Sequence, residues 1–535
     1  MKRLARVSTW ALMLAMVVGS VSVAYADDGE MFFGEDEVDD VDLEYLEELI
    51  DEGQRLYDQR SFEEASLRFF DVLQDDTPGA EGYYPQAEYE LARTLFRLQL
   101  YQGALTYFGQ IAEEGDFHPY FQPALRGLLL LTEVIPGDAE LARHMASYSG
   151  HFPEVVPEDF RDRYAYLVGR HLYENLDLDE AVELLETIDS ESEYYAKARY
   201  ITAITHVADY EAEPAVEAFR DVLRYLEGLD TPLDRLTGEE ALLLDLAHLG
   251  MARVFYSTGQ FDTSLSYYER VHRESPRWPD ALFESSWGFF NIDRFNQALG
   301  NLHTLNSPFF EDAYFPEGPI LAAVIYFYNC NYDLVRETLD DFDFIFEEVQ
   351  EELQAILAEH DDDMSAYEWG QQWRNGGVEG SPEFESALRS NLQDRQFELR
   401  FNLLDAIDRE MERMAALPDS WQTSYLGDEL MQEASLAHSF ATSDAGELVR
   451  RRLERAEEEL GNLLNQQDRI LFEVARAERG EVEAEIRAGM QVEDEVIESA
   501  EIEVSSEEMY WPFEGEYWYD ELGFYYFDIQ SQCRR

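Results

Sequence analysis

Lysine is nearly missing from this chain: only Lys2 and Lys197 carry it in 535 residues, and all basic side chains number 40 against 114 acids. A formal charge of −74 makes a surface that repels phosphate backbones, which argues against a nucleic-acid partner. Cysteine is equally scarce. Cys330 and Cys533 are too few for a disulfide scaffold or a four-cysteine zinc site. After residue 26 no apolar run reaches the roughly 18 residues that would span a bilayer. There is no G-x-S-x-G elbow, no Gly-Lys-Ser/Thr phosphate loop, no G-x-G-x-x-G and no H-E-x-x-H pair among the ten histidines. His360 with Asp361–Asp363 comes nearest to a metal constellation, and no further partner can be named for it. The acidic stretch Glu35–Asp42 lacks the loop glycine of a calcium site. Carboxylate pairs occur everywhere, so their pairing says nothing about glycosidase chemistry. These absences lead to the expectation of no catalytic residue, no cofactor and no dedicated metal.

What is present is ample core material, 45% hydrophobic with 14% aromatic, enough for several cores. Residues 1–26 read as a secretory signal: Lys2, Arg3 and Arg6 start it, Trp10–Val18 is unbroken and apolar, and Ala24-Tyr25-Ala26 is a cleavage site. No cysteine follows to carry a lipid. Cleavage would leave a soluble exported chain beginning near Asp27, stripped of three positive charges and no negative one. Its acid excess runs along the whole length. That even spread favours adaptation to a saline medium over a surface built to attract one cationic partner.

A spacing recurs through the first two thirds. It consists of a small residue, an apolar residue three on, an aromatic or apolar one six later, then Ala, then two large apolar residues. Copies are Gly53-Leu56-Phe62-Ala65-Phe69-Val72, Ala92-Leu95-Tyr101-Ala104-Phe108-Ile111, Gly169-Leu172-Leu178-Ala181-Leu185-Ile188 and Ala252-Phe255-Phe261-Ser264-Tyr268-Val271. Weaker ones begin at Ala203, Ser286 and Ala323. The pattern resembles the tetratricopeptide (TPR) repeat, a helix–turn–helix unit, over about residues 45–345, in about seven units with a degenerate stretch at 124–150. The resemblance implies an all-α superhelical solenoid. Small residues let paired helices approach and large ones fill the gaps between neighbours, so units must stack to bury their apolar faces.

Such a superhelix presents a concave face of first helices. Arg93, Arg170 and Arg253 share one repeat position, with Arg97 a turn beyond Arg93. In a chain this short of positive charge they could receive acidic peptide groups; the plainer and favoured reading pairs each with an acid of an adjacent repeat. Tyr89, Phe96, Tyr173, Tyr256, Trp287 and Phe290 could line the groove or simply pack between repeats.

Beyond residue 345 the spacing stops. A helix and loop at 346–382, the loop read from Asp361 to Pro382, lead to charged helices over 383–490. One carries the stripe Leu392-Leu399-Leu403-Ile407-Met411-Met414, a second begins near Ser420, and a third runs from about Asp444 to Gln491 with heptad apolar positions and Gln467 among them. They predict an antiparallel coiled-coil arm that pairs with another chain, holds distance, or packs on the solenoid.

The ends differ again. Residues 27–44 form an acidic linker, and 491–509 a second with eight acids and no base. Then 510–535 is an aromatic tail, with ten aromatics in the eighteen residues Tyr510–Phe527 and a turn signal at Asp520–Gly523. A small hairpin is expected, one that must dock to be stable, either on the protein's own helices (the favoured reading) or on a partner through Trp511 and Trp518. The segment 511–533 resembles tails of exported repeat proteins of Gram-negative bacteria, some linked to gliding and envelope machinery. Cys330 sits at the turn of the last repeat. Two free thiols are the favoured state for it and Cys533, and a bond pinning the tail is the alternative.

The function expected is a non-catalytic protein–protein scaffold in the periplasm of a Gram-negative bacterium, possible partners being outer-membrane or motility assemblies. Alternatives are a periplasmic holdase chaperone or a non-catalytic subunit of an envelope enzyme complex. Partner contacts are expected at Arg93, Arg97, Arg170, Arg253, Tyr256, Trp287, Trp511 and Trp518.

Overall fold

A computed structural model describes residues 43–136, 139–146, 156, 158–228, 237–310, 313–488 and 511–533. The expected signal, residues 27–42 of the first acidic linker, the second linker, Tyr510 and most of the insertion 228–238 lie outside them, while Glu44 already begins a helix. Among the described residues the solenoid and arm are built of helices, the tail 511–533 has none, and there is no strand. Helices pair in sequence: α1 (Glu44–Asp58) with α2 (Phe62–Leu73), α3 (Tyr84–Leu98) with α4 (Tyr101–Glu114), α5 (Phe121–Leu131) with α6 (Ala139–Ala146), and α7 (Arg161–Glu174) with α8 (Leu178–Leu185). Then come α9 (Tyr195–Ala208) with α10 (Ala212–Glu227), α11 (Gly238–Ser257) with α12 (Phe261–Tyr268), α13 (Trp278–Asn291) with α14 (Phe295–Leu305), and α15 (Glu317–Tyr328) with α16 (Tyr332–Glu359). We number these pairs units 1–8. The chain is an all-α, TPR-like solenoid in which each second helix also packs on the next first helix. Within the stretch that breaks the repeat spacing, the described residues carry the end of α5 and all of α6, which form unit 3.

The repeat spacing has a backbone cause. In seven units the residue between the paired helices lies in the left-handed region: Arg60, Gln99, Leu176, Tyr210, Gly259, Asp293 and Cys330. The next residue's N–H reaches back five places to the second position of the repeat pattern, as Ser61 to Leu56, Leu100 to Leu95, Asp177 to Leu172 and Gln260 to Phe255 do. This is a Schellman closure, which satisfies helix-end carbonyls and turns the chain. The small first position is crowded by the fifth: a Cβ at Gly53 would lie 2.7 Å from Phe69, and one at Gly169 would lie 2.6 Å from Leu185. Because Tyr210 is 96% exposed at φ 63°, its side chain contributes strain without burial. Tyr210→Gly should therefore raise stability by about 1 kcal/mol, as read from urea unfolding, despite the lost side chain. A neutral or lower value would mean the turn is not held in this conformation.

Two expectations about the arm are corrected. The acidic run at 361–363 is a helix start and not a loop: Asp362 caps α17 (Asp363–Arg374) by accepting the Ser365 N–H at 3.0 Å, and α17 buries Ala366 and Trp369. After α18 (Pro382–Leu392), α19 (Arg395–Ala416) and the single turn α20 (Asp419–Gln422), the remaining two expected helices are one, α21 (Tyr425–Ala488), of 64 residues. No proline interrupts it, and three of its four glycines, Gly427, Gly446 and Gly461, lie against neighbouring atoms. A Cβ at Gly446 would fall 1.7 Å from the Asp363 carbonyl oxygen of α17.

The arm is bound to the solenoid at two places. At one end Trp421 is buried with its Nε1–H donating to Ser66 of α2 at 3.0 Å, while Leu430 packs on Gly103 of α4. There the α19 residue Glu410, 3% exposed, accepts the Gln102 N–H at 2.9 Å and caps α4 from outside. Burial pushes its carboxyl up to about 7 against the pull of those N–H groups. At the other end α21 lies along α16: Gln354 donates to Glu457 at 2.7 Å, Gln467 to Asp343 at 3.0 Å, and Arg336 pairs with Glu478. A helix of this length spans about 96 Å, and it runs from unit 2 to unit 8 as a strut.

The tail does not form the expected hairpin. A turn at 519–523 separates two segments that form no strand pair; the turn and the second segment bond the solenoid, while Trp518 N–H of the first donates to the Tyr525 hydroxyl at 3.4 Å. Phe527 N–H donates to Asn296 O at 3.1 Å, Gln532 N–H to Asn329 O at 2.8 Å, and Gly523 N–H to Thr304 Oγ1 at 3.2 Å. Leu522 is fully buried in the core of units 6–8, and Phe513, Tyr517 and Tyr525 surround the His303 ring at 4.6–5.0 Å. Cys330 and Cys533 are bonded, contrary to the favoured expectation. Docking of the tail brings Cys533 to the turn of unit 8, where Cys330 is half-buried, a proximity that sequence distance conceals.

A candidate binding groove on the first helices of units 1 to 3

Arg93 and Arg97 project from α3 beside Tyr57 of α1 and Arg126 of α5, lining a cavity of about 490 Å³ with Tyr89 and Phe96. Helical periodicity puts Tyr89, Arg93, Phe96 and Arg97 on one face of α3. Arg93 Nη1 holds both oxygens of Glu90 at 2.8 and 2.7 Å, and its guanidinium lies over Tyr57 at 4.8 Å and Tyr89 at 5.6 Å. Burial lifts the Glu90 carboxyl above its ordinary value, with Arg93 opposing. Arg93 thus forms a fixed, aromatic-clamped floor. Arg97 is exposed, lies 5.6 Å over the Phe62 ring and makes no ion pair among the described residues. Arg126 pairs with Asp159 at 3.0 Å on an exposed edge, where such a contact yields easily to a competitor.

The lining holds no Asp, Glu, His, Ser or Cys. Nothing there can take a proton near neutral pH or attack a substrate, whereas guanidinium groups on aromatic faces suit a carboxylate with an apolar neighbour. The strongly shifted groups elsewhere serve packing. Glu88, pushed up to about 7 by burial, meets the His118 Nε2 at 3.2 Å, and the buried His248 is pushed down to about 4. Among the described residues no three His, Cys, Asp or Glu side chains are grouped to hold a metal, and no helix is long and apolar enough to cross a membrane.

The other residues singled out in the sequence lie elsewhere. Arg253 is bidentate to Glu284 of the next unit, at 2.6 Å for its closest contact, so it belongs to the seam between units 6 and 7. Tyr256 accepts from Asn291 at 3.1 Å across that seam, and Trp287 packs edge-on against Phe290. Arg170 pairs with Glu174 at 3.5 Å beside the arm. Trp511 and Trp518 lie on the tail, 72% and 58% exposed. Arg126 escapes sequence reasoning because unit 3 breaks the spacing; the one signal it leaves is a lone arginine between Leu125 and Gly127 in an apolar helix.

No family model matches this chain, and no curated protein does. Solved structures are similar at low levels. The apo form of RapI matches at 13% identity over 68% of this chain and 99% of its own, with a TM-score of 0.33. A Rap protein complexed with competence and sporulation factor matches at 14% identity over 78% and 99%, with a TM-score of 0.22. A circular tandem repeat protein with novel repeat topology matches at 14% identity over 84% and 91%, with a TM-score of 0.12. At these scores the likenesses carry no functional conclusion.

Proposed function

We propose that this protein is a non-catalytic scaffold that holds a partner's peptide segment in the groove of units 1–3, and that it works in the cell envelope after export. The observation that carries the reading is the groove itself: an unpaired guanidinium, Arg97, beside an aromatic-clamped one, Arg93, in a lining without an acid–base group. The segment it suits pairs a carboxylate with apolar side chains. Export rests on the character of residues 1–26. An envelope assembly, whether at the outer membrane or in motility machinery, is the setting such a scaffold would serve.

A photo-crosslinking residue placed at Gln122, which lines the groove, tests this in intact cells. One dominant crosslinked protein is expected, reduced at least tenfold by Arg97→Glu, which reverses an exposed charge and leaves the core intact. Fractionation should find both in the envelope. Equal recovery from wild type and Arg97→Glu would assign the arginine to structure. Crosslinks scattered over many apolar segments would favour the holdase reading.

A further inference from the structure

A second cavity, of about 780 Å³, opens where the arm stands off from units 3 and 4. One wall is α19, whose positions Arg395, Leu399, Asn402 and Arg409 follow steps of four, three and seven and so form one stripe. The facing wall is the end of α5 and the α7 residues Leu167, Arg170 and His171. Its charge runs against that of the molecule. Four arginines line it (Arg170, Arg395, Arg400 and Arg409), against two acids, Glu133 and Glu174.

Both acids are already engaged: Glu133 by Arg163 at 2.6 Å, and Glu174 by Arg170. Of the acids on α19, Glu398 and Asp405 are taken by Arg374, Asp408 by His438 and Glu410 by the start of α4, while Glu412 is exposed and makes no ion pair with Arg409 among the described residues. Arg400 pairs with Asp444. Arg395 and Arg409 have no carboxylate partner among the described residues, and Arg409 spends only its Nε–H, on the Asp405 carbonyl. Burial holds His171 below its ordinary value, so it adds no positive charge at neutral pH. Two unpartnered guanidinium groups therefore face one cleft in a protein with almost three acids to each base.

Their spacing selects the ligand. Fourteen residues separate them along α19, about 21 Å of helix. A metabolite-sized anion cannot touch both, whereas an extended peptide rises about 3.3 Å per residue and bridges them with six or seven. Leu399 and Leu167, between the charges, suit the apolar residues of such a segment. At physiological salt the screening length is about 8 Å, so the distant carboxylates of the solenoid do not decide binding and the cleft's own groups do.

We propose that the cleft between α19 and unit 4 binds an extended acidic peptide segment of about seven residues from a partner protein, with Arg395 and Arg409 as its two end contacts. The site stands independently of the groove in units 1–3. Titration calorimetry of the full chain with hepta-glutamate, di-glutamate and inorganic phosphate, each at 0.15 M salt, tests it. Saturable binding of hepta-glutamate is expected, at least tenfold tighter than di-glutamate or phosphate. Arg395→Gln with Arg409→Gln should weaken it at least tenfold, whereas Arg97→Gln should leave it unchanged. Both cleft positions are exposed, so thermal unfolding should not change, which separates lost binding from lost fold. Di-glutamate or phosphate binding as tightly as the longer peptide would show a small-anion site and overturn the proposal. So would absence of saturable binding, or binding indifferent to the double substitution.

Discussion

Trp421→Ala is expected to weaken the near end of the arm by about 3–5 kcal/mol, the cost of removing a fully buried tryptophan. The indole fills a hole between α20 and α2, and its Nε1–H satisfies Ser66, itself buried in α2. Alanine leaves a cavity and removes the donor to the Ser66 oxygen, whose hydroxyl still donates to the Glu63 carbonyl at 2.8 Å. A repeat stack does not unfold in one step, so a melting temperature would blur a local loss. Hydrogen exchange reads it locally: amides 100–108 and 426–434 should exchange at least a hundredfold faster, since about 1.4 kcal/mol corresponds to a factor of ten. Amides of α16 facing α21 should be unchanged, because the contacts of Gln467 and Glu457 are made far along the same helix. Tyr425→Ala, at a side chain 85% exposed, is the control. Loss of protection at both ends together would mean the strut docks as one rigid body and not through two separate footholds.

Units 1, 2 and 4–8 were legible because their turns impose a spacing that side chains must obey. Where Leu56, Leu95 or Phe255 supplies the carbonyl that closes the turn, the next helix must begin six residues later, and the pattern repeats. Unit 3 obeys different contacts: there the small residue Gly127 is packed by Phe108 of the preceding unit, so the same template fails although the helices form. The arm's continuity was hidden because Gly446 and the polar residues Thr442, Ser443 and Asp444 read as a break. They are the surface on which α17 sits, and only the neighbour explains them. Asp361–Asp363 misled for a related reason, since a cap and a loop use the same residues. In the groove, Arg93 and Arg97 were visible from position alone, but the distinction between them was not. Arg253 shares Arg93's repeat position yet pairs across the seam with Glu284 of the next unit, whereas Arg93 pairs with Glu90 of its own helix and lies over Tyr57 and Tyr89.

Gly300→Ala is the substitution expected to release the tail. In α14 a Cβ at this position would lie 1.8 Å from the carbonyl oxygen of Tyr525, and backbone cannot yield as a flexible side chain would. The tail must lift across 522–527, forfeiting the burial of Leu522, about 2–3 kcal/mol. With it go the bonds of Arg273 to the Asp520 and Leu522 carbonyls and the stacking of that guanidinium on Phe524 at 4.5 Å. The disulfide governs how far the segment then travels. It closes a separation of 203 residues, and in a chain-entropy account a loop of that length contributes about 5 kcal/mol. In the oxidised Gly300→Ala protein the segment should stay tethered, with amides 522–530 exchanging fast but the chain resisting cleavage at Trp518 and Tyr519 only partly. Adding Cys330→Ser should convert that loosening into rapid proteolytic loss of the tail, while Cys330→Ser alone should retain it through the aromatic cage on His303. If Gly300→Ala leaves the exchange of 522–530 unaltered, the tail does not lie against α14, and the bond between Cys330 and Cys533 alone accounts for its attachment.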